Sequence, residues 1–239
     1  MKKEKKENIR ANEDIPSNGH LIGIYNLLLQ KFGPQKWWPG ETPFEVVIGA
    51  ILTQNTAWAN VARAIQNLKS ADCLNPESLY HLNLSELCRL IRPSGYYQIK
   101  GKRLKEFIEH LFQNHDGQLE KMFDQDMNIL RQELLGIKGI GPETADSIIL
   151  YAANKPVFVV DAYTKRIFTR HGFFPEGWSY TDIQSFFMDN LPKDICIYNE
   201  YHALIVRLAK EHCKTKAVCH QCPLEHKNVK PMGGLDAGT

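Results

Sequence analysis

The sequence predicts an all-α fold. Three observations carry that reading. Apolar residues recur at three- and four-residue intervals along most of the chain, as one face of a helix requires. Turn-forming residues separate these periodic stretches. The one β-like run, Val157-Phe158-Val159-Val160, is too short to imply a sheet.

Taken in order, Leu21, Ile24, Tyr25, Leu28 and Leu29 mark a first helix, and Phe44, Val47, Ile48, Ile51 and Leu52 a second. The stretch TQNT, residues 53–56, interrupts the pattern. It resumes at Val61, Ala64, Ile65 and Leu68, with Asn55 or Thr56 expected as the cap. NPES opens another helix near Pro76. SELCRLIRP ends one at Pro93, because the residue before a proline disfavours helical angles. Ser94-Gly95 is a turn. Leu104, Phe107, Ile108, Leu111 and Phe112 define the next helix, and Met127, Leu130 and Leu134 the one after it. Ala145, Ile148, Ile149 and Ala152 form a narrow stripe that stops at Pro156. Residues 1–18 and 229–239 are expected to be flexible tails.

The composition, 43% hydrophobic and 23% charged, is that of a globular chain with a sizeable core. No apolar run is long enough to span a membrane, and the charged start MKKEKKENIR lacks the apolar segment of a secretory signal. A cytoplasmic, monomeric protein is expected. The net charge of +2 does not by itself point to nucleic acid. The distribution is more suggestive: Lys100, Lys102, Arg103 and Lys105 cluster, as do Lys165, Arg166 and Arg170, and Arg207, Lys210, Lys214 and Lys216. Each cluster reads equally well as a solvated helix face.

The segment LLGIKGIGPETADSII, residues 134–149, reads as helix, tight hairpin, helix. Gly136 suits the end of the first helix. Gly139 and Gly141 admit backbone angles closed to other residues, and Pro142 fits the first turn of the second helix. Free amides at such a helix start form an anion site suited to one phosphate, with Lys138 exposed beside it. Because no side chain is needed, the site would hold DNA without reading its sequence.

Asp161 follows an apolar run and precedes a helical stretch, so it reads as a helix cap or as a carboxylate aimed at a cleft. Cys73, Cys88 and Cys196 sit among apolar neighbours and are expected to be buried thiols. Cys213, Cys219 and Cys222 are clustered, as metal ligands are.

GIKGIGPETA, then VFVVDAYTKRIFTR, then the late cysteines together resemble the helix-hairpin-helix DNA glycosylases of the endonuclease III type, over roughly residues 20–222. The resemblance implies two helical lobes: a helical barrel of residues 43–153 carrying the hairpin, and a second lobe made of 19–42 with 154–228. The active site lies in the cleft between them. It also implies a partner, double-stranded DNA with a damaged base, and places the chain at the nucleoid. By the same resemblance Asp161 is the catalytic aspartate. It would stabilise the oxocarbenium-like sugar and activate water. Bifunctional members carry a lysine where this chain has Glu143. A carboxylate cannot form the Schiff base that cleaves the strand, so release of the base by water alone is expected. The WWP of Trp37, Trp38 and Pro39, the LTQNT segment and the hairpin glutamate resemble the 3-methyladenine branch. That implies an alkylated purine stacked among Trp37, Trp38, Pro39 and Trp58, with Gln54 as the wedge that fills the gap in the DNA. Core packing is the other reading of the tryptophans. An oxidised or mismatched pyrimidine is the rival substrate, and a non-catalytic DNA-binding module the rival class. In that branch a late-helix lysine enters the pocket, and Leu204 stands at the matching position. Family members with an iron-sulfur cluster use four cysteines. Here Cys213, Cys219 and Cys222 match three, which implies a [4Fe-4S] cluster completed by His220 or His226, a zinc site, or a site without metal.

Overall fold

The computed structural model describes residues 18–225. The expectations for the two tails, and for His226 as a ligand, lie outside these residues.

The described chain is all helical. The elements are α1 (Asn18–Phe32), α2 (Pro43–Leu52), α3 (Trp58–Ser70), α4 (Pro76–His81), α5 (Leu84–Leu90), α6 (Tyr97–His115), α7 (Leu119–Phe123), α8 (Met127–Gly136), α9 (Pro142–Ser147), α10 (Ala162–Arg170), α11 (Tyr180–Asn190) and α12 (Ile195–Glu211). A 3-10 turn, Arg92–Ser94, carries Pro93, and a π-helical turn, Ile148–Ala152, continues α9. The apolar stripes read from the sequence are the buried faces: Leu21, Ile24 and Leu28 on α1, Val47, Ile48 and Ile51 on α2, and Leu104, Phe107, Ile108 and Leu111 on α6. α1, α10 and α11 gather around α12, whereas α2, α3, α5, α6, α8 and α9 pack among themselves. The π turn touches both α2 and α12. A π turn widens the helix and re-aims its side chains, which is why such turns recur at functional sites.

Residues 157–160 are buried and extended but belong to no strand. The Val157 amide donates to the Lys155 carbonyl at 2.9 Å, and side chains hold two further groups: Gln184 Nε2 donates to the Phe158 carbonyl at 2.8 Å, and the Val160 amide reaches Tyr180 Oη at 3.4 Å. The Phe158 ring stacks on Phe187 at 4.2 Å. A buried strap that cannot pair as a strand must be held this way.

Three expectations are corrected. α3 has no side-chain cap. Its N-cap is Ala57, and the Thr56 hydroxyl donates instead to the Ser94 carbonyl at 2.6 Å. Cys196 is exposed, and Cys73, in the connection between α3 and α4, and Cys88 are only partly covered. Lys100 is not on a solvated face. It is buried, and its ammonium donates to Leu52 O, Thr56 Oγ1 and Ser94 O at 2.7, 2.6 and 2.7 Å. Burial, with the Arg103 charge nearby, pulls its pKa down to about 8. α7 and α11 gave no sequence signal that singled them out.

Candidate active site

Of the two readings its sequence context allows, the structure shows Asp161 as a cap. It is the N-cap of α10: Oδ1 accepts from the Thr164 amide at 2.7 Å and the Thr164 hydroxyl at 2.9 Å. That leaves Oδ2 for the interior, where His202 Nε2 stands at 3.5 Å, an ion-pair separation rather than a hydrogen bond. The carboxyl is largely covered, with 11% of the side chain exposed. Burial pushes its pKa up, but the His202 imidazole and the two Thr164 donors outweigh this and hold it below the ordinary carboxylate value. A group that stays ionised in a dry setting can face a developing cation.

His202 leads to the aromatic residues. Its Nδ1 is 2.6 Å from Tyr151 Oη, on the π turn. Burial, then the Asp161 and Glu200 charges, raise the Tyr151 pKa well above its ordinary value, so the phenol keeps its proton beside the imidazole. The Tyr151 ring lies 5.3 Å from Trp38. Trp37, Trp38 and Trp58 meet one another at 4.9–5.3 Å between centroids. Pro39 is exposed beside them, and the three indoles are partly covered. The Trp38 Nε1 donor is buried and unpaired. Gly49 makes room for this ring: a Cβ there would come within 3.1 Å of the indole. The four aromatic rings and the carboxylate therefore form one continuous path.

Tyr151 and His202 were not singled out in the sequence. Their neighbours YAAN and YHALIV look like ordinary apolar helix, and only the fold turns these two polar groups inward. Leu204, the position matched to the family's lysine, is fully buried in the core. Residues two apart on a helix point about 200° away from each other, so His202 is the α12 residue that faces Asp161.

Glu143, in the first turn of α9, has an exposed side chain but shares its surroundings with Asp161. Desolvation and the Asp161 charge raise its pKa, with His202 opposing. The hairpin itself runs 136–141. Gly139 takes φ +95°, a conformation that requires glycine, and it lies under the Arg103 side chain: a Cβ would sit 2.4 Å from Arg103 Cγ. Gly141 departs from expectation, since its φ of −95° and ψ of 177° are open to any residue. Lys138 is exposed. The amides of Lys138, Gly139 and Gly141 take no backbone partner among the described residues.

Gln54, the expected wedge, rests on the hairpin. Its Nε2 donates to Gly139 O at 3.1 Å and Thr144 Oγ1 at 2.9 Å, and Arg103 Nη1 donates to its Oε1. Near it, Tyr96 is 68% exposed at φ +45°. No sequence pattern marked it. Asp146 on α9 ties the hairpin to the strap that ends in Asp161. It is completely covered and accepts from Arg131 at 2.7 and 3.1 Å, from Tyr180 Oη at 2.7 Å and from Gln184 Nε2 at 2.7 Å.

The cluster Lys165, Arg166 and Arg170 is spent on structure. Lys165 donates to Trp178 O, Arg166 to Cys213 O, and Arg170 to Lys214 O, Thr215 O and the Cys213 sulfur. The fold brings Cys213, Cys219 and Cys222 into one short loop. Cys213 and Cys222 are buried, Cys219 is exposed, and burial raises the Cys222 pKa, with further contributions from Cys219 and Cys213. Three thiols with a guanidinium 3.4 Å from one sulfur suit a thiolate-bound group that carries negative charge. His220 is exposed in the same loop.

Residues 48–193 match the HhH-GPD superfamily base excision DNA repair protein. Over 207 residues the chain is 52% identical to a protein of Methanocaldococcus jannaschii whose name proposes a DNA repair glycosylase, covering 86% of this chain and 94% of that one. Among solved structures it is similar to the H. pylori 3-methyladenine DNA glycosylase bound to 1,N6-ethenoadenine, with TM-score 0.70 and 30% identity over 80% of this chain and 98% of the other. It shares its fold with endonuclease III in a non-covalent DNA complex, with TM-score 0.76 and 23% identity over 88% and 94% of the two chains.

Proposed function

The chain belongs to the HhH-GPD superfamily of base excision DNA repair proteins, and from that membership we propose that it is a monofunctional DNA glycosylase releasing an alkylated purine of the 3-methyladenine class. The observation that carries the reading is the continuous path from Trp37, Trp38 and Trp58 through Tyr151 and His202 to Asp161. A phosphate-binding module without chemistry needs neither the aromatic group nor a buried carboxylate. A flipped base requires the rings, and an oxocarbenium-like sugar requires the carboxylate. The similarity to a glycosylase bound to an ethenoadenine supports a purine at those rings.

In this reading residues 43–153 form the lobe that carries the hairpin, and 19–42 with 154–228 form the lobe that carries Asp161. Amides at Gly139 and Gly141, with Lys138, hold a backbone phosphate of damaged double-stranded DNA. Gln54 leaves the hairpin to fill the gap in the duplex. Asp161, held in orientation by Thr164 and His202, stabilises the sugar cation and directs water to it. A base that is itself cationic leaves readily, so no strong general acid is required. Glu143 offers no amine, so the abasic product stays intact. Cys213, Cys219 and Cys222 would hold a [4Fe-4S] cluster whose role is to fix the 213–222 loop. Iron and sulfide in stoichiometric amounts in freshly purified protein support the cluster, and protein with neither iron nor zinc overturns it.

The reading is tested by comparing release of 3-methyladenine, thymine glycol and mismatched thymine from otherwise identical duplexes. The methylated purine should leave fastest. Stacking contributes roughly 1–3 kcal/mol per base, so Trp58→Ala should slow its release by about ten- to a hundredfold while binding to undamaged DNA barely changes. Faster processing of either pyrimidine would replace the substrate assignment with the endonuclease III type.

A further inference from the structure

Away from the cleft, His110 and His115 on α6 and Glu133 on α8 bring three ligand atoms within 4.8 Å of one another. Both imidazole Nε2 atoms point at the same oxygen, Glu133 Oε1, at 2.6 and 2.5 Å. The other carboxylate oxygen is held by Gln125 Nε2 at 2.5 Å, and Gln125 is itself anchored to the Met122 carbonyl at 3.0 Å. The three side chains are 27%, 13% and 16% exposed, so the group is sheltered yet open on one side to solvent. None of these residues belongs to the aromatic path, the hairpin or the cysteine loop.

We infer that His110, His115 and Glu133 form a binding site for one divalent transition-metal ion of the zinc type, with the fourth position open to water. Two imidazoles and a carboxylate are a ligand set such ions favour. Tetrahedral bonds of 2.0–2.1 Å place ligand atoms about 3.3 Å apart, so each observed nitrogen–oxygen contact has to lengthen by less than about 1 Å. The ion takes the place of the proton on each Nε2 as it enters. Gln125 keeps the carboxylate aimed, the usual task of a group behind a metal ligand. The ion would clip the end of α6 to the helix that leads into the hairpin, binding the folded chain and not the unfolded one.

The test uses the full-length, tag-free protein dialysed against Zn2+ or Co2+. Wild type should hold one ion more than Glu133→Gln and one more than His115→Gln, counted by elemental analysis, whatever the late cysteines retain. The extra Co2+ should give visible bands without the intense near-ultraviolet absorption of thiolate ligation. Gln125→Ala should keep the site but weaken it by about 10–100-fold. Should a variant fail to fold, wild type alone still decides: at least one bound Co2+ must show visible bands without sulfur ligation. Equal metal content in wild type and a folded Glu133→Gln, or thiolate bands accounting for every bound ion, would overturn the proposal and leave a hydrogen-bonded carboxylate between two histidines.

Discussion

His202 Nε2 lies 3.5 Å from Asp161 Oδ2 while its Nδ1 is held by Tyr151 at 2.6 Å, so one buried phenol orients the imidazole that faces the carboxylate. Without His202 the burial of Asp161 is no longer offset in full, and its pKa rises. The acid side of the pH–rate profile of base release should accordingly begin at higher pH in His202→Ala than in wild type. At neutral pH the rate should fall roughly ten- to a hundredfold through loss of orientation. Tyr151→Phe should show a smaller change of the same kind. Single-turnover release between pH 4 and 8 provides the comparison. Superimposable profiles would mean that His202 only fills space.

Lys100 fastens the loop that carries Gln54. Its ammonium saturates three acceptors, two of them backbone carbonyls at the end of α2 and in the 94–95 turn. Lys100→Met fills the volume but leaves the Leu52 carbonyl without its donor, at about 1–3 kcal/mol for a buried acceptor, while the Ser94 carbonyl keeps the Thr56 hydroxyl. Denaturant unfolding should therefore show a loss of at least about 1–3 kcal/mol. Unchanged stability would indicate that water replaces the ammonium freely.

Glu143 makes a prediction with a sign. Its folded-state pKa is raised by desolvation and by Asp161. The stability linked to it is complete below the ordinary carboxylate range and is lost as pH rises through the raised value. Glu143→Gln removes the charge and should raise the thermal midpoint at pH 7, with the gain fading as the pH approaches 4. In the same preparation borohydride should trap no protein–DNA adduct with wild type. A gain independent of pH, or a trapped adduct, contradicts the respective half of this account.

Much of this arrangement is legible in the sequence because it is local. A period of 3.6 residues gives the helices, Gly139 and Pro142 give the hairpin, and Asp161 stands where an apolar run meets a helix start. Contacts distant in sequence were not legible. Tyr151 sits on the π turn that continues α9, which no short pattern marks, and His202 is read as core until α12 is seen against Asp161. The cluster Lys165, Arg166 and Arg170 suggested a DNA-facing patch, but carbonyls of the 213–215 loop and Trp178 claim it. The Asp146 network, which joins α8, α9, α11 and the strap, depends on four residues that no short motif connects.

The central claim is that the Asp161 carboxylate drives release of the base by water. The most direct measurement is single-turnover release of 3-methyladenine by wild type and Asp161→Asn, which keeps an oxygen to cap α10, with the duplex products run before and after alkali. Wild type should release the base and leave strands that break only after alkali. Asp161→Asn should bind the duplex with similar affinity and release the base about 10²–10⁴ times more slowly. Release by Asp161→Asn at the wild-type rate would contradict the account.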